Sequence, residues 1–557
     1  MTDPQASFAL GSPRFRDPRI ARLAAEQGDL AAWRAALELG AQAAASLADG
    51  EFAVALREPS GRTFLAVDRF AIRTVCYRVV DGRLRFAVRA DDLAEDGAPV
   101  DRQAIFDYVY FHVIPAPRTI FEGVFRLPAG HCALFENGRL TVAPYWVPEF
   151  DDTGRLSLPS AKAEFRQLLQ DAVAAQLDGS KPACFLSGGT DSSTVAGMIG
   201  VVAGKPASTY SIGFAAEGYD EMEYARIAAR HFKTEHHEYY VTPEDLVASI
   251  PTVAAHYDQP FGNSSALPAY YCARMARDDG VTRILAGDGG DELFGGNTRY
   301  ARQRVFGWYD DVPAGLRHGL LEPLFRMTPI ARAPLLRKGA SYIDQARVPM
   351  PDRMQTYNLL SRMGVGNVFT DDFVASVDAS GPQRQQREVW PAARTTSIVN
   401  RMLAFDWRYT LAETDLPKVC GTAELAGVSV GFPLLDPRLL EFSSRLPAEG
   451  KLKGLKLRWF FKEALRGFLP DQIITKKKQG FGLPFGVWAA RHDKLHRLAA
   501  DSLGSLSTRG IVRPAFLKQL LDEHLHVHPG YYGEMVWILM MLEQWMQTHR
   551  PGLGRLA

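Results

Sequence analysis

Between residues 183 and 286 four short apolar segments, 183–186, 208–214, 237–241 and 283–286, alternate with helical stretches at 192–202, 221–231, 243–256 and 265–278. Apolar strands of this length, set between helices, have no polar face to give to water. They predict a parallel sheet covered on both sides. In a doubly wound sheet, ligands bind beyond the carboxyl ends of the strands, so chemistry is expected in the loops after residues 186 and 286.

The chain upstream follows another pattern. Residues 18–48 read as helical, and from Glu51 strands come in pairs: 51–58 with 63–68, 77–80 with 84–88, and 131–136 with 139–143. The last two pairs flank Asp81-Gly82 and Asn137-Gly138, dipeptides that supply the positive φ of a two-residue hairpin turn. An antiparallel β domain is therefore expected over 1–147. Residues 148–160, with two Asp, one Gly and two Pro, read as a linker closed by Ser160 as a helix cap. A second domain is expected over 161–557, mainly helical from about Ala301 and ending in a Met- and aromatic-rich helix at 531–545.

Charge excludes several functions. With 64 Lys+Arg against 63 Asp+Glu, the chain has no basic field for nucleic acid or a membrane surface. The five cysteines, Cys76, Cys132, Cys184, Cys272 and Cys420, form no C-x-x-C pair and read as buried thiols of a reducing cytoplasm. No apolar run approaches the ~20 residues of a membrane span. His524, His526 and His528 alternate, but no carboxylate or cysteine completes a metal shell around them.

Two loops carry the chemistry. Ser187-Gly188-Gly189-Thr190-Asp191-Ser192-Ser193 leaves a strand and opens a helix, so a row of backbone N–H groups faces an incoming anion. It has no Walker lysine. Gly287-Asp288-Gly289-Gly290-Asp291-Glu292 follows the last strand of the series. Three carboxylates beside an anion site repel one another unless a cation intervenes, which points to Mg²⁺ on Asp191 and Asp291.

These motifs together resemble the asparagine synthetase family. Ser-Gly-Gly-x-Asp-Ser is similar to its pyrophosphate loop, Tyr210-Ser211-Ile212-Gly213-Phe214 to its adenine-side strand, and Lys478-Gln479-Gly480-Phe481-Gly482 to its catalytic lysine loop. Asp258-Gln259-Pro260-Phe261 matches a further segment, and Asp68-Arg69, Leu127-Pro128-Ala129-Gly130-His131 and Tyr145-Trp146 resemble the later half of its glutaminase domain; the first fifty residues or so find no counterpart. The resemblance implies an α+β, Ntn-hydrolase-like antiparallel domain followed by an α/β doubly wound ATP-pyrophosphatase domain with a helical C-terminal part. It implies ATP held by Leu186, Ser187, Gly188, Gly189, Thr190, Asp191, Ser192, Ser193, Ile212, Gly213 and Gly287, with Lys478, Asp288 and Glu292 catalytic. Arg458 and Lys462 are further lining candidates. The implied partners are a small carboxylate and ammonia or an amine, with a homodimer left open.

Two departures qualify it. The family's glutaminases begin with a cysteine nucleophile, where this sequence has Thr2, so glutaminase activity is expected to be lost. Cys420, Gly421, Ser429 and Gly431 stand where the family usually has Asp, Arg, Glu and Arg. The carboxylate could then be aspartate, a uronic acid of a surface polysaccharide, or a group amidated within one molecule, as in β-lactam synthetases and lasso-peptide cyclases. A non-catalytic scaffold is the reading from another class.

Overall fold

The structure is a computed structural model that describes residues 6–95, 97–155, 157–310, 312–317, 319, 322–323, 334–477, 480 and 482–555. The first half of the chain builds a sheet of order β1-β4-β5-β9-β10, from Phe8–Gly11, Phe52–Arg57, Thr63–Val67, His131–Glu136 and Arg139–Pro144, all antiparallel. The small pair β2 (Arg14–Phe15) and β3 (Ala48–Asp49) stands beside it. A second sheet joins β6 (Cys76–Val80), β7 (Arg83–Ala87) and β8 (Phe125–Arg126). The turns at Asp81-Gly82 and Asn137-Gly138 do have positive φ at both residues.

Both faces of the large sheet are buried, and the period of two explains how. Phe52, Val54, Leu56, Phe64 and Ala66 face helices α1 (Pro18–Gln27), α2 (Asp29–Leu37) and α3 (Ala41–Ser46), around the buried Trp33. Ala53, Ala55, Leu65 and Val67 face the other way, onto Tyr77, Leu84 and Phe86 of the second sheet. The helical stretch expected at 18–48 is thus three short helices that cover one face.

Helix α5 (Leu158–Ala174) opens the second half, after α4 (Arg102–Phe111). Its N-cap position is Ser157, not the expected Ser160, because Pro159 fits the first turn, where its missing N–H has no partner to lose. The parallel sheet then runs in the order β13-β12-β11-β14-β15: Glu235–Val241, Ser208–Phe214, Ala183–Phe185, Arg283–Leu285 and Ser429–Gly431. Strand β13 begins earlier than expected, at Glu235, and β15 was not foreseen. Helices α6 (Thr190–Ala203), α7 (Met222–Phe232) and α8 (Pro243–His256) each follow a strand as the alternation predicts, and α9 (Ala266–Asp278) follows α8 before β14. The terminal helix Pro529–His549 is core, with Met535, Met540, Met541 and Trp545 at 0–2% exposure. Among the described residues no helix is long and apolar enough to cross a membrane.

The two halves share one continuous apolar core, which contains Phe70, Cys76, Phe106 and Phe121 from the first and Trp407, Trp537 and Trp545 from the second. At the junction, Asp68 is 1% exposed and its carboxylate accepts backbone N–H bonds from Phe52, Phe70, Ile72 and Arg73 at 3.0–3.2 Å. Burial pushes that carboxyl up to about 6 although four donors favour its charged form. Asp68→Ala would strand these donors away from water. Since each orphaned group costs ~1–3 kcal/mol, we expect the unfolding free energy to fall by at least ~3 kcal/mol, with Asp68→Asn less severe, as measured by urea titration.

Candidate functional site

Strand β11 leads to β12 and β13 on one side of the sheet, whereas its other neighbour β14 leads to β15. The loops after β11 and β14 therefore diverge, and the gap between them is the switch point where open α/β sheets bind ligands. A cavity of about 910 Å³ lies there. Leu186, Ser187, Gly189, Thr190, Asp191, Ser192, Ile212 and Gly287 line it, together with Asp288, Asp291 and Glu292. Gly188, Ser193 and Gly213 are not on its wall. Gly188 backs onto Ala225 of α7, Ser193 is fully buried, and Gly213 lies against the Tyr240 ring. Lys478 falls outside the described residues, but Lys476 and Lys477 line the cavity.

The loop after β11 is held by its own serines. The Ser187 N–H donates to Ser192 Oγ at 3.1 Å, and the Gly189 N–H donates to Ser187 Oγ at 3.3 Å. Gly189 at the N-cap of α6 offers no capping side chain, so the first-turn N–H groups point into the cavity with the positive end of the helix dipole behind them. That is an anion cradle. Facing it, α10 (Gly290–Phe294) carries Asp291 and Glu292 in its first turn. Gly290 must lack a side chain, since a Cβ there would overlap the Asp191 carboxylate.

One guanidinium joins the two loops. Arg458 Nη1 is 2.6 Å from Asp191 Oδ1, and Nη2 contacts Asp291 Oδ1. The carboxylates thus converge on a single cation from an all-oxygen setting, the donor set a hard divalent ion takes. Burial pushes the Asp191 carboxyl up, and Arg458 opposes the shift.

Deeper in, Asp288 Oδ1 lies 3.9 Å from Lys418 Nζ, which is 2.9 Å from Asp415. Burial raises the Asp288 carboxyl to about 6, although Lys418 pulls it down. Burial would depress the Lys418 ammonium, but Asp415 and Asp288 more than offset it and it is raised. Glu292 is pushed well above the usual carboxylate range by burial and by the charges of Asp415 and Asp406. Asp415, Lys418 and Glu221 were not singled out from sequence. At the mouth, Lys476 pairs with Glu221 at 3.0 Å and sits 4.3 Å over the Tyr224 ring, which pins the start of the lysine run to α7.

The four departures lie elsewhere. None of Cys420, Gly421, Ser429 and Gly431 lines the cavity. Cys420 Sγ approaches the Ile72 carbonyl, Gly421 packs on Tyr257, the Ser429 hydroxyl donates to the Thr282 carbonyl, and Gly431 lies against Gln176 and Arg283. Of the histidines, His524 stacks on Tyr532 and His526 and His528 are exposed. Among the described residues the metal-capable cluster is Glu235, His237 and Asp279, where Lys181 already pairs with both carboxylates.

Comparison with known proteins adds two family models: one for asparagine synthase matches residues 164–547, and one for a glutamine amidotransferase domain matches residues 31–146. The second reaches into the helices that the sequence reading left without a counterpart. The chain is 24% identical to asparagine synthetase [glutamine-hydrolyzing] 1 of Bacillus subtilis over 489 residues, 86% of this chain and 74% of that one. It is 26% identical over 520 residues to a putative asparagine synthetase [glutamine-hydrolyzing] of Mycobacterium tuberculosis, covering 89% and 76%. It is also 24% identical over 522 residues to amidase chyE of Penicillium rubens, covering 84% and 76%.

The packing role of Gly421 can be tested directly. A Cβ at that position would lie 2.6 Å from Tyr257 Cε1, so Gly421→Ala should lower stability by ~1–3 kcal/mol in urea unfolding and leave ligand affinity at the cavity unchanged.

Proposed function

The chain belongs to the asparagine synthase family, and from that premise we propose that it is an ATP-dependent amide ligase whose nitrogen comes from ammonia or a substrate amine. One observation carries the reading. The anion cradle of Ser187 to Ser193 and the acidic turn of Asp288 to Glu292 face each other across one cavity, with Asp191 and Asp291 converging on a common cation. A carboxylate oxygen attacks the α-phosphorus, the bond to pyrophosphate breaks, and an amine then displaces AMP from the acyl carbon. The N–H groups of the Ser187–Ser193 loop face the charge that builds on the phosphoryl oxygens. Asp288 takes the proton that the attacking nitrogen loses, as its raised affinity for protons suits. Glu292, whose affinity for protons is raised by burial and by neighbouring acids, repels the nucleotide less than an ordinary carboxylate would. Lys478 is assigned to the leaving pyrophosphate from its place in the sequence. Mg²⁺ on Asp191 and Asp291 would neutralise phosphate charge.

The cysteines support loss of glutamine hydrolysis. A nucleophilic thiol needs its thiolate within reach near neutral pH. In the first domain, burial raises Cys76 well above the ordinary value and Cys132 to about 11. The acceptor carboxylate follows less directly. The four altered positions lie off the cavity wall, so aspartate, a uronic acid and intramolecular amidation all fit the described site.

The decisive assay is pyrophosphate release with a panel of carboxylates, with and without ammonium. We expect release that depends on one carboxylate class and falls at least ~100-fold in both Asp191→Asn and Asp291→Asn, whose circular dichroism stays that of the parent. Near-parental release by either variant contradicts the metal assignment. The purified chain should also release no glutamate from glutamine, as read by a coupled dehydrogenase assay, and ammonium should support full turnover. Glutamine-dependent product formation by this chain alone would restore a complete amidotransferase.

A further inference from the structure

Within the assigned phosphate site one guanidinium, that of Arg458, bridges the two loops. Arg458 is 7% exposed and its backbone stands in the left-handed region at φ +52°, unusual for a side chain of its size. Its N–H donates to the Gly295 carbonyl at 3.1 Å, which fixes the chain between the hairpin of β16 (Leu452–Lys453) and β17 (Lys456–Leu457) and the helix Trp459–Ala464. From there the guanidinium reaches three acceptors on two loops: Thr190 Oγ1, Asp191 Oδ1 and Asp291 Oδ1. Gly296 makes the approach feasible, since a Cβ at that position would overlap both the Asp291 carboxylate and Arg458 Nε.

We propose that Arg458 is the built-in counter-cation of this site: without nucleotide it holds the position between Asp191 and Asp291 that a divalent ion takes, and it turns to the phosphates when metal and nucleotide arrive together. The inference rests on the ATP-site reading and goes beyond it. Two half-buried carboxylates that converge on one point repel each other unless a cation lies between them, and a guanidinium with its planar fork bridges them. A divalent ion added alone would leave three positive charges against two negative ones in a desolvated place. A polyphosphate supplies the missing negative charge and gives the displaced guanidinium a bidentate partner. Metal binding and nucleotide binding are therefore coupled, each favouring the other by the same factor. Arg458 lines the cavity beside Lys462, so the exchange needs a side-chain rotation and no movement of the sheet.

The test measures free Mn²⁺ by its electron paramagnetic resonance signal, with and without α,β-methylene ATP and corrected for the chelate in solution. Without nucleotide, Arg458→Gln should bind Mn²⁺ at least about tenfold more tightly than the parent chain, and the gain on adding nucleotide should be at least about tenfold smaller in the variant. Arg458→Lys keeps the charge but spans one carboxylate only. It should fall between the two and carries the test if the glutamine variant does not fold. Equal nucleotide-free Mn²⁺ affinity in parent and variants overturns the exchange while leaving the ATP-site reading standing. Absence of joint Mn²⁺ and nucleotide binding in the parent chain overturns both.

Discussion

Two carboxylates that follow neighbouring parallel strands and meet in a half-buried place require a cation, and the site is organised around that requirement. Asp191 and Asp291 come from loops that the topology throws together at the switch point between β11 and β14. Because both are only partly exposed, their electrostatic partner contributes more than a fully exposed ion pair would. The glycines of both loops follow from the same condition. Backbone must approach backbone for the two acids to reach one point, and a side chain at Gly290 would occupy the place of the Asp191 carboxylate.

Around that centre the ionisable groups are arranged in alternating sign. Asp415, Lys418 and Asp288 form a chain of charge that ends at a carboxyl raised to about 6 by burial, while burial and nearby acids push Glu292 upward as well.

Much of this was legible in the sequence because the relevant signals are local. Asp81-Gly82 and Asn137-Gly138 announce their turns through the φ they permit, and the two glycine-rich loops announce themselves by following apolar strands. What could not be read depends on distant partners. Strand β15 has three residues, Ser429–Gly431, and is a strand only because Arg283 to Leu285 pair with it. Arg458 reads from sequence only as a lining residue; that it bridges two loops could not be read, since one carboxylate it meets is 267 positions away. The altered residues at 420, 421, 429 and 431 look like lost ligands until Ile72, Tyr257, Thr282 and Gln176 are seen to fill their surroundings.

Trp407 connects the two halves in a way that bears on the whole chain. Its indole N–H donates to the Glu292 carbonyl at 3.0 Å, while its ring packs against Phe70, Trp146 and Phe150 at centroid distances of 6.2, 6.0 and 5.2 Å. The acidic turn is thus anchored by a side chain whose other neighbours belong to the first domain and its connection. Whatever chemistry the first domain carries, removing it would cut through shared core and loosen the turn that carries Asp291. Natural selection on the catalytic half then acts on the first half as well, as a retained part of its interior.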